Sequence, residues 1–176
     1  TKSQADIRNT VREAAFMQTV GNPDIKITTT LPEESLSVTY DGRLIGQALT
    51  NVIKNAAEAI EGREGEDLPQ GKIHVALSGT DDFAVIDVTD NGVGLPEENR
   101  QRLLEPYMTT REKGTGLGLA IVRKILEDHG GGIELLDAPG VENGETGTLV
   151  RLTLSKVADS EVEQEENEKT VTTDGA

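Results

Sequence analysis

The sequence of 176 residues has no cysteine and no tryptophan, and it has only two histidines, two tyrosines and two phenylalanines. Without cysteine there can be no disulfide, no thiolate metal site and no cysteine nucleophile, which is typical of proteins from a reducing compartment. His74 and His129 are too few for a multi-histidine metal centre. Because aromatic residues make up 2% of the chain, any hydrophobic core must be built from Val, Ile, Leu and Ala.

Positive charge is also scarce, since 17 Lys and Arg residues stand against 32 Asp and Glu residues and the formal net charge is -15. Nucleic acids attract basic surfaces, so we expect no nucleic-acid partner. No apolar run reaches the length of a membrane span and no signal peptide opens the sequence, so we expect no direct membrane contact by this chain. An anionic ligand would need backbone N–H groups, a metal ion or a few well-placed cations.

The length favours one domain with further segments at its ends. The first residues read like the middle of a longer protein, so we interpret residues 1–22 as a linker helix from an upstream domain. Residues 23–156 are predicted to form the folded domain. Residues 157–176 hold seven acidic residues, one lysine and no aliphatic side chain larger than valine, which predicts a disordered acidic tail.

Hydrophobic periodicity indicates helices alternating with pairs of strands. Predicted helices cover about 6–20, 41–61 and 117–128, and predicted strands cover 25–28, 36–39, 72–78, 83–89, 133–136 and 147–154. A polar insert over 95–112 is predicted to contain a short helix at 97–104. Strands in hairpins with helices between them favour an α+β fold. We expect a two-layer α/β sandwich with a mixed, largely antiparallel sheet covered on one face by helices.

Polar side chains interrupt the predicted apolar surfaces at a few places. Asn51 and Asn55 lie on one line at the border of the apolar face of the second helix, where a helix can line a pocket. Asp90 continues the buried side of its strand, where a carboxylate needs a donor. An amide oxygen can bind Mg2+, and a semi-buried carboxylate suits an amine such as the exocyclic NH2 of a purine. Taken alone, the asparagines equally suit a helix surface, and the aspartate a cap.

Two glycine clusters flank the polar insert, one at Gly92 and Gly94 and one over 114–119. The second is no P-loop, which needs a lysine and a hydroxyl residue after its last glycine, and no dinucleotide fingerprint, which follows a strand. Backbone N–H groups at the start of the next helix can still hold an anion, and Arg111 and Lys113 could supply positive charge. Asparagine for a metal, aspartate for a base and glycines for phosphates together predict a Mg-ATP site.

These motifs, in this order and spacing, resemble the catalytic and ATP-binding domain of bacterial sensor histidine kinases, which has the Bergerat (GHKL) fold. Asn-Val-Ile-Lys-Asn-Ala at 51–56 resembles the N box, Asp-Asn-Gly-Val-Gly-Leu at 90–95 the G1 box, and Leu-Glu-Pro-Tyr-Met-Thr-Thr at 104–110 the F box. Residues 114–119 match the G2 box, and Gly-Thr-Leu at 147–149 stands where the weaker G3 motif falls. The resemblance is strongest to nitrogen-regulation kinases of the NtrY/NtrB type.

The resemblance implies ATP and Mg2+ as cofactors and assigns roles on both sides of the site. Asn55 would bind Mg2+, and Asn51 would lie near the phosphates. Asp90, supported by Thr148, would accept a hydrogen bond from the adenine amino group. The two asparagines would thus serve the phosphate end of the nucleotide and Asp90 its base.

The same resemblance implies a lid, formed by residues 110–119, that closes over the triphosphate. Arg111 and Lys113, together with Asn51, would position the phosphates for catalysis. Glu58 stands where many members have a basic residue, which favours Arg111 or Lys113 as the phosphate contacts. The implied ATP-binding residues are Asn51, Asn55, Asp90, Gly92, Gly94, Leu95, Thr110, Lys113, Gly114, Thr115, Gly116, Leu117, Gly118, Leu119 and Thr148.

The implied reaction is transfer of the ATP γ-phosphoryl group to a histidine, followed by relay to a response regulator of the NtrX/NtrC type. The chain has no phosphoacceptor motif, so that histidine would lie on a dimerisation domain absent from this chain, upstream of residues 1–22. We interpret His129, at the end of the third helix, as structural. The domain would be cytoplasmic, in a parent protein that could be anchored in the inner membrane.

Two other functions stay open at this stage. The first is another Bergerat ATPase, of the gyrase, Hsp90 or MutL type, or an anti-sigma serine kinase. These proteins generally place a glutamate four residues before the metal-binding asparagine, and this sequence has Asn51 at that position. The second is a non-catalytic nucleotide-binding module, against which the complete set of motifs argues.

Overall fold

The computed structural model describes residues 1–106 and 118–157. Most of the predicted lid and nearly all of the predicted tail therefore lie outside the described residues. In chain order the elements are β1 (Ser3–Asp6), α1 (Ile7–Gly21), β2 (Lys26–Thr30), β3 (Ser37–Tyr40), α2 (Gly42–Glu61), β4 (Lys72–Gly79), β5 (Phe83–Asp90), α3 (Gly118–Asp128), β6 (Gly132–Asp137) and β7 (Thr148–Ser155), with short 3-10 helices at Arg100–Leu104 and Val141–Asn143.

The main sheet has five strands in the order β2-β4-β5-β7-β6. β2 runs parallel to β4, and the other neighbouring pairs are antiparallel. β4 and β5 form the predicted hairpin, in which Ile73 pairs with Asp90 and Gly79 with Ala84. β1 and β3 pair antiparallel in a separate two-stranded sheet. The prediction of an α+β fold with a mixed, largely antiparallel sheet is confirmed.

One face of the main sheet carries the hydrophobic core. Alternate residues of β4, β5 and β7 are buried there, as the two-residue period of a strand requires. They are Ile73, Val75, Leu77, Ala84, Ile86, Val88, Val150, Leu152 and Leu154. The opposite face is polar, with the hydroxyls of Thr28 and Thr30 at 2.7 and 2.9 Å from the ring nitrogens of His74. Helices on one face and polar side chains on the other give the predicted two-layer sandwich.

α2 is the helix that contributes most to this core. Its buried residues recur at helical spacing along its whole length; they are Ile45, Ala48, Leu49, Val52, Ile53, Ala56, Ala57, Ala59 and Ile60. The helix begins after Asp41, whose Oδ1 accepts hydrogen bonds from the backbone N–H groups of Arg43 and Leu44 at 3.0 and 3.1 Å. Aspartate is among the strongest residues at such an N-cap, so the start of α2 is sharply defined.

α1 packs into the same core as α2. Ile7 and Val11 are fully buried in it, and the helix begins after Asp6, whose carboxylate accepts the Arg8 N–H at 3.1 Å. Hydrogen bonds from the Arg8 side chain lower the pKa of Asp6 to about 2. The predicted helix at 6–20 therefore forms. Its interpretation as a linker from an upstream domain stays a prediction.

Two local predictions differ from the structure. The predicted short helix at 97–104 is confirmed only over its second part, because helical structure there is limited to the 3-10 turn Arg100–Leu104. Asn99, directly before it, has φ of 58°, a left-handed conformation that no right-handed helix contains. The strand Ser3–Asp6 was not predicted, because its exposed residues show no alternation and it is held by backbone pairing with β3.

The described helices can also be compared with the helix that a membrane span requires. Over residues 1–106 and 118–157, no helix combines the length and the apolar character that crossing a bilayer requires.

Candidate functional site

Asp90 lies at the end of β5 on the buried side of the sheet. It shares the parity of Ala84, Ile86 and Val88, as predicted, and the residue is 6% exposed. The Gly92 N–H donates a hydrogen bond to Asp90 Oδ1 at 2.8 Å. A carboxylate taken out of water needs such donors. The structure therefore holds this acceptor in a fixed place at the end of the central hairpin.

Thr148 stands directly beside Asp90, as the prediction of a supporting role required. It is the first residue of β7 and the Cα partner of Asp90 in the β5–β7 ladder, and it is 7% exposed. Gly147, just before it, has φ of 150°, and a Cβ there would lie 2.1 Å from the Asp90 carbonyl oxygen. Glycine is therefore needed at position 147 for β7 to begin against the backbone of Asp90.

The two glycines of the first cluster are required for different reasons. A Cβ on Gly92 would lie 2.6 Å from both the carbonyl carbon and the Cβ of Ala59, so the chain after β5 rests directly on the last turn of α2. The Val93 N–H donates to the Ala59 carbonyl at 3.1 Å in the same contact. Gly94 instead has φ of 86°, a conformation that side chains rarely adopt. The segment that follows Asp90 is thus fixed onto α2.

Asn51 and Asn55 lie one turn apart on α2, and both are half-buried. Their predicted place at the border of the apolar face is confirmed. A Cβ on Gly118 would lie 3.8 Å from Asn55 Nδ2 and 3.9 Å from Oδ1, so the Asn55 amide stands beside the first residue of α3. Ala59, on which Gly92 rests, is one further turn along the same helix. The N-box asparagines and the Asp90 segment therefore share one side of α2.

The remaining predicted site residues divide into two groups. Leu95 and Leu119 are partly buried, and their side chains pack against the core. Gly118 begins α3 beside Asn55. The others lie outside the described residues; they are Thr110, Arg111, Lys113, Gly114, Thr115, Gly116 and Leu117. The structure therefore brings together the base side and the asparagine side of the predicted site.

The donors present fit a magnesium ion bound mainly through a nucleotide. Within residues 1–106 and 118–157, no group of three or more His, Asp or Glu side chains could hold a metal ion. Mg2+ is commonly held by one or two protein oxygens, with phosphate oxygens and water completing its octahedron. The Asn55 amide at the edge of α2 could supply one such oxygen. This donor set suits Mg2+ that arrives with a triphosphate.

His129, which we interpret as structural, is buried away from these residues. The residue is 2% exposed. Nδ1 lies 2.7 Å from the Ile125 carbonyl oxygen, to which it donates, and Nε2 accepts the Asp41 N–H at 3.1 Å. Burial lowers the pKa of His129, and the nearby charge of Lys2 lowers it further. Both ring nitrogens are therefore engaged, and the described contacts support a structural role.

Sequence reasoning assigned no role to three residues that support the site, of which Asn91 and Gly147 lie within the predicted motifs and Ala59 lies outside them. Ala59 and Gly147 carry the backbone contacts described above. Asn91, between Asp90 and Gly92, uses both ends of its amide in hydrogen bonds to the start of β4. Asn91 belongs to the 90–95 motif, but its Asn-Gly pair is also typical of an ordinary turn, so the sequence indicated no separate role for it.

A separate groove of about 410 Å³ runs between the first half of α2 and α3. Leu44 and Gln47 line it from α2, and Ile121 and Lys124 from α3. Ile121 is 37% exposed, although it belongs to the apolar set predicted for this helix. None of the described residues predicted to bind nucleotide lines this groove.

Comparison with known proteins gives a family and individual relatives. Residues 40–158 match the model of the family described as histidine kinase-, DNA gyrase B- and HSP90-like ATPases. The chain is 52% identical over 149 residues to nitrogen regulation protein NtrY of Azorhizobium caulinodans. That alignment covers 85% of this chain and 19% of the relative, so the chain spans about a fifth of that protein's length.

The solved structures that this chain resembles include histidine kinases. The catalytic domain of histidine kinase ThkA matches with a TM-score of 0.73 and 30% identity, covering 89% of this chain and 99% of that domain. ThkA in complex with the response regulator protein TrrA matches with a TM-score of 0.69 and 26% identity, covering 88% of this chain and 42% of that one.

Proposed function

Because the chain belongs to the family of histidine kinase-, DNA gyrase B- and HSP90-like ATPases, as an NtrY-like histidine kinase ATP-binding domain, we propose the following division of labour. Asp90 and Thr148 recognise the adenine, Asn55 and the start of α3 hold the Mg-triphosphate, and the γ-phosphoryl group passes to a histidine on another domain. The observation that carries this proposal is the Asp90 carboxylate, buried at the end of β5 and held by the Gly92 N–H.

Adenine recognition follows from the chemistry of an ionised carboxylate. Such a group only accepts hydrogen bonds, and one of its oxygens already accepts the Gly92 N–H. The adenine amino group would donate to it, which would select adenine over purines that carry an oxygen at that position. Thr148, whose hydroxyl can donate or accept, lies beside Asp90 and would complete the polar end of the base pocket.

Phosphate binding would come from the opposite end of the site. The Asn55 amide stands beside Gly118 at the beginning of α3, where a helix N-terminus favours negative charge. Asn55 would contribute an oxygen to Mg2+, and Asn51, one turn earlier, would lie near the phosphates. Bound Mg2+ would neutralise charge on the transferred phosphoryl group. Arg111 and Lys113 are the proposed cations of the lid.

The acceptor of the phosphoryl group is proposed to be a histidine outside this chain. A glutamate that activates water or a serine hydroxyl is absent from position 51, which holds Asn51. An imidazole needs no such base, since it is itself a nucleophile. The described contacts of His129 support its exclusion as acceptor, because both its ring nitrogens are engaged in the interior.

The remaining partners and the segment boundaries are also proposals. Residues 1–22 would lead from the histidine-bearing dimerisation domain, 23–156 would form the catalytic domain, and 157–176 would be an acidic tail. The structure of ThkA with a response regulator and the similarity to NtrY support a response regulator of the NtrX/NtrC type as the final acceptor. The domain would act in the cytoplasm, with its parent anchored in the inner membrane.

Calorimetric titration of the chain with a non-hydrolysable ATP analogue tests the proposal. We expect binding that is strengthened by Mg2+. A chain that is folded by circular dichroism but takes up no analogue would contradict the proposed function.

A transfer assay tests the acceptor. With γ-labelled ATP, the chain alone should label itself poorly or not at all, and addition of the separate histidine-bearing domain of the parent should restore labelling. A version of that domain without its histidine is the matched control. Strong labelling of this chain alone would show that the acceptor lies within it.

A further inference from the structure

Asn91 uses both ends of its side-chain amide to hold the start of β4. Its Oδ1 accepts the Lys72 N–H at 2.8 Å, and its Nδ2 donates to the Gln70 carbonyl at 2.9 Å. The Asn91 backbone N–H also donates to the Lys72 carbonyl at 3.3 Å. Three hydrogen bonds therefore join one residue after β5 to the segment 70–72.

The segment 70–72 is itself fixed to the body of the domain. A Cβ on Gly71 would lie 2.6 Å from Cγ2 of Ile60, so this segment passes in direct contact with the end of α2. The Gly71 carbonyl accepts the Lys26 N–H at 2.9 Å, which ties it to the start of β2. Asn91 is thus bonded to a rigid point of the fold, although it lies next to the charged loop at 62–70.

Asn91 also lies between the two partners of the Asp90 contact. The Gly92 N–H that holds the Asp90 carboxylate belongs to the peptide group that joins residues 91 and 92. If this peptide group tilts, its N–H leaves Asp90 Oδ1 and the carboxylate loses this contact. The contact of Gly92 with Ala59 supports the same peptide from the other side. The direction of the Gly92 N–H toward Asp90 therefore depends on what holds residues 91 and 92.

We propose that Asn91 is a positioning residue for purine selectivity, which acts by anchoring the peptide whose N–H orients the Asp90 carboxylate. This inference rests on the proposed function, in which Asp90 accepts from the adenine amino group. Asn91 touches no nucleotide in this scheme. Its effect is on the selectivity of Asp90 for an amino group over an oxygen at the same ring position.

The side chain at this position needs both a donor and an acceptor at the end of a short stem. Asparagine provides both. Aspartate would keep the acceptor for the Lys72 N–H but would place an oxygen against the Gln70 carbonyl, whereas alanine would remove both contacts. Asn91→Asp and Asn91→Ala therefore form a graded pair that removes one and then two side-chain hydrogen bonds.

The test compares ADP with IDP, which carries an oxygen where adenine has its amino group, by calorimetry on the full chain. We expect the wild type to bind ADP at least about tenfold tighter than IDP, the value of one or two hydrogen bonds in recognition. Asn91→Ala should reduce this ratio to about threefold or less, mainly by weakening the binding of ADP. Asn91→Asp should give an intermediate ratio. It also serves as the working variant if the alanine variant fails to fold.

His74→Ala is the matched control. It removes two side-chain contacts from β4, the strand that follows the segment held by Asn91, and these contacts lie on the opposite face of the sheet from the core. It should leave the ADP-to-IDP ratio unchanged. A general loss of stability at position 91 would weaken the binding of ADP and of IDP equally. An unchanged ADP-to-IDP ratio in both Asn91 variants would therefore overturn the inference while leaving the proposed function intact. A folded wild type that binds neither nucleotide would contradict the proposed function itself, and equal affinities for the two would contradict the role of Asp90.

Discussion

The Nε2 atom of His129 accepts a hydrogen bond from the backbone N–H of Asp41 at 3.1 Å. This contact joins the C-terminal end of α3 to the N-cap of α2. At the other ends of the same helices, Asn55 of α2 stands beside Gly118 of α3. With a rise of 1.5 Å per residue, these two contacts are about 15–20 Å apart along the helices. α2 and α3 therefore run antiparallel and are fixed relative to each other at both ends.

Replacement of His129 by alanine should destabilise the domain without touching the nucleotide site. The change leaves the Asp41 N–H and the Ile125 carbonyl without their partner in a buried place, and each such loss costs about 1–3 kcal/mol. We expect the free energy of unfolding to fall by about 3 kcal/mol in denaturant titrations. His74→Ala, whose two contacts are to exposed threonine hydroxyls, should cost less than about 1 kcal/mol. Equal costs would contradict the structural role of His129.

The stability of the domain should depend on pH because of the titration of His129. Burial lowers its pKa in the folded chain from the ordinary 6.5, while the unfolded chain keeps the ordinary value. The hydrogen bond to the Ile125 carbonyl and the charges of Asp41 and Asp128 favour protonation, whereas Lys2 opposes it, and burial prevails. The unfolded state therefore binds the proton first, so stability is full above about pH 7 and falls as the pH drops below 6.5. Denaturant midpoints between pH 8 and 5 measure this slope, which should be absent in His129→Gln.

The order of helices and strands could be predicted because the aliphatic residues follow clean periods. The period of α2 placed Asn51 and Asn55 at the border of its apolar face, and the parity of β5 placed Asp90 on the buried side. Both placements are confirmed. Periodicity works here because the core is aliphatic, and the chain has few aromatic side chains and no cysteine that could obscure the pattern.

The contacts that complete the site could not be predicted, because they join residues far apart in the sequence. Gly92 rests on Ala59, and Asn91 reaches Gln70 and Lys72, but nothing in their local spacing indicates these neighbours. The 97–104 helix was predicted to begin too early for a local reason, since Asn99 adopts a left-handed conformation that composition does not reveal. Backbone contacts between distant segments are set by tertiary packing, and neither residue propensity nor hydrophobic periodicity predicts them.

Two glycine substitutions should have opposite effects. A Cβ on Gly92 would meet the backbone of Ala59 at 2.6 Å, whereas a Cβ on Gly46 in α2 would meet no heavy atom within 4 Å. Gly92→Ala must displace the segment after Asp90, and we expect a loss of about 1–3 kcal/mol in stability, typical of overpacking, with a clear loss of nucleotide affinity. Gly46→Ala should raise stability by about 0.5–1 kcal/mol through helix propensity. Thermal unfolding and calorimetry on both variants check this, and equal shifts would contradict it.

Asp90→Asn and Asn55→Ala should separate recognition of the base from binding of the metal. Asparagine at position 90 keeps an oxygen for the Gly92 N–H, but its NH2 group turns a donor toward the adenine amino group. We expect affinity for an ATP analogue to fall at least about tenfold, whether or not Mg2+ is present. Alanine at position 55 removes one metal ligand and keeps a strong helix former on α2. Affinity without Mg2+ should therefore stay near the wild-type value, while the gain on adding Mg2+ should be lost.

The comparison of these two variants is informative because both side chains lie on one side of α2 yet would serve opposite ends of the nucleotide. Calorimetric titrations with and without Mg2+ give four affinities, from which the metal-dependent part of each loss follows directly. Unfolding midpoints within about 1 kcal/mol of wild type would exclude general destabilisation as the cause. If both variants lose affinity equally and independently of Mg2+, Asp90 and Asn55 do not divide the site as proposed, since a metal ligand cannot matter when its metal is absent.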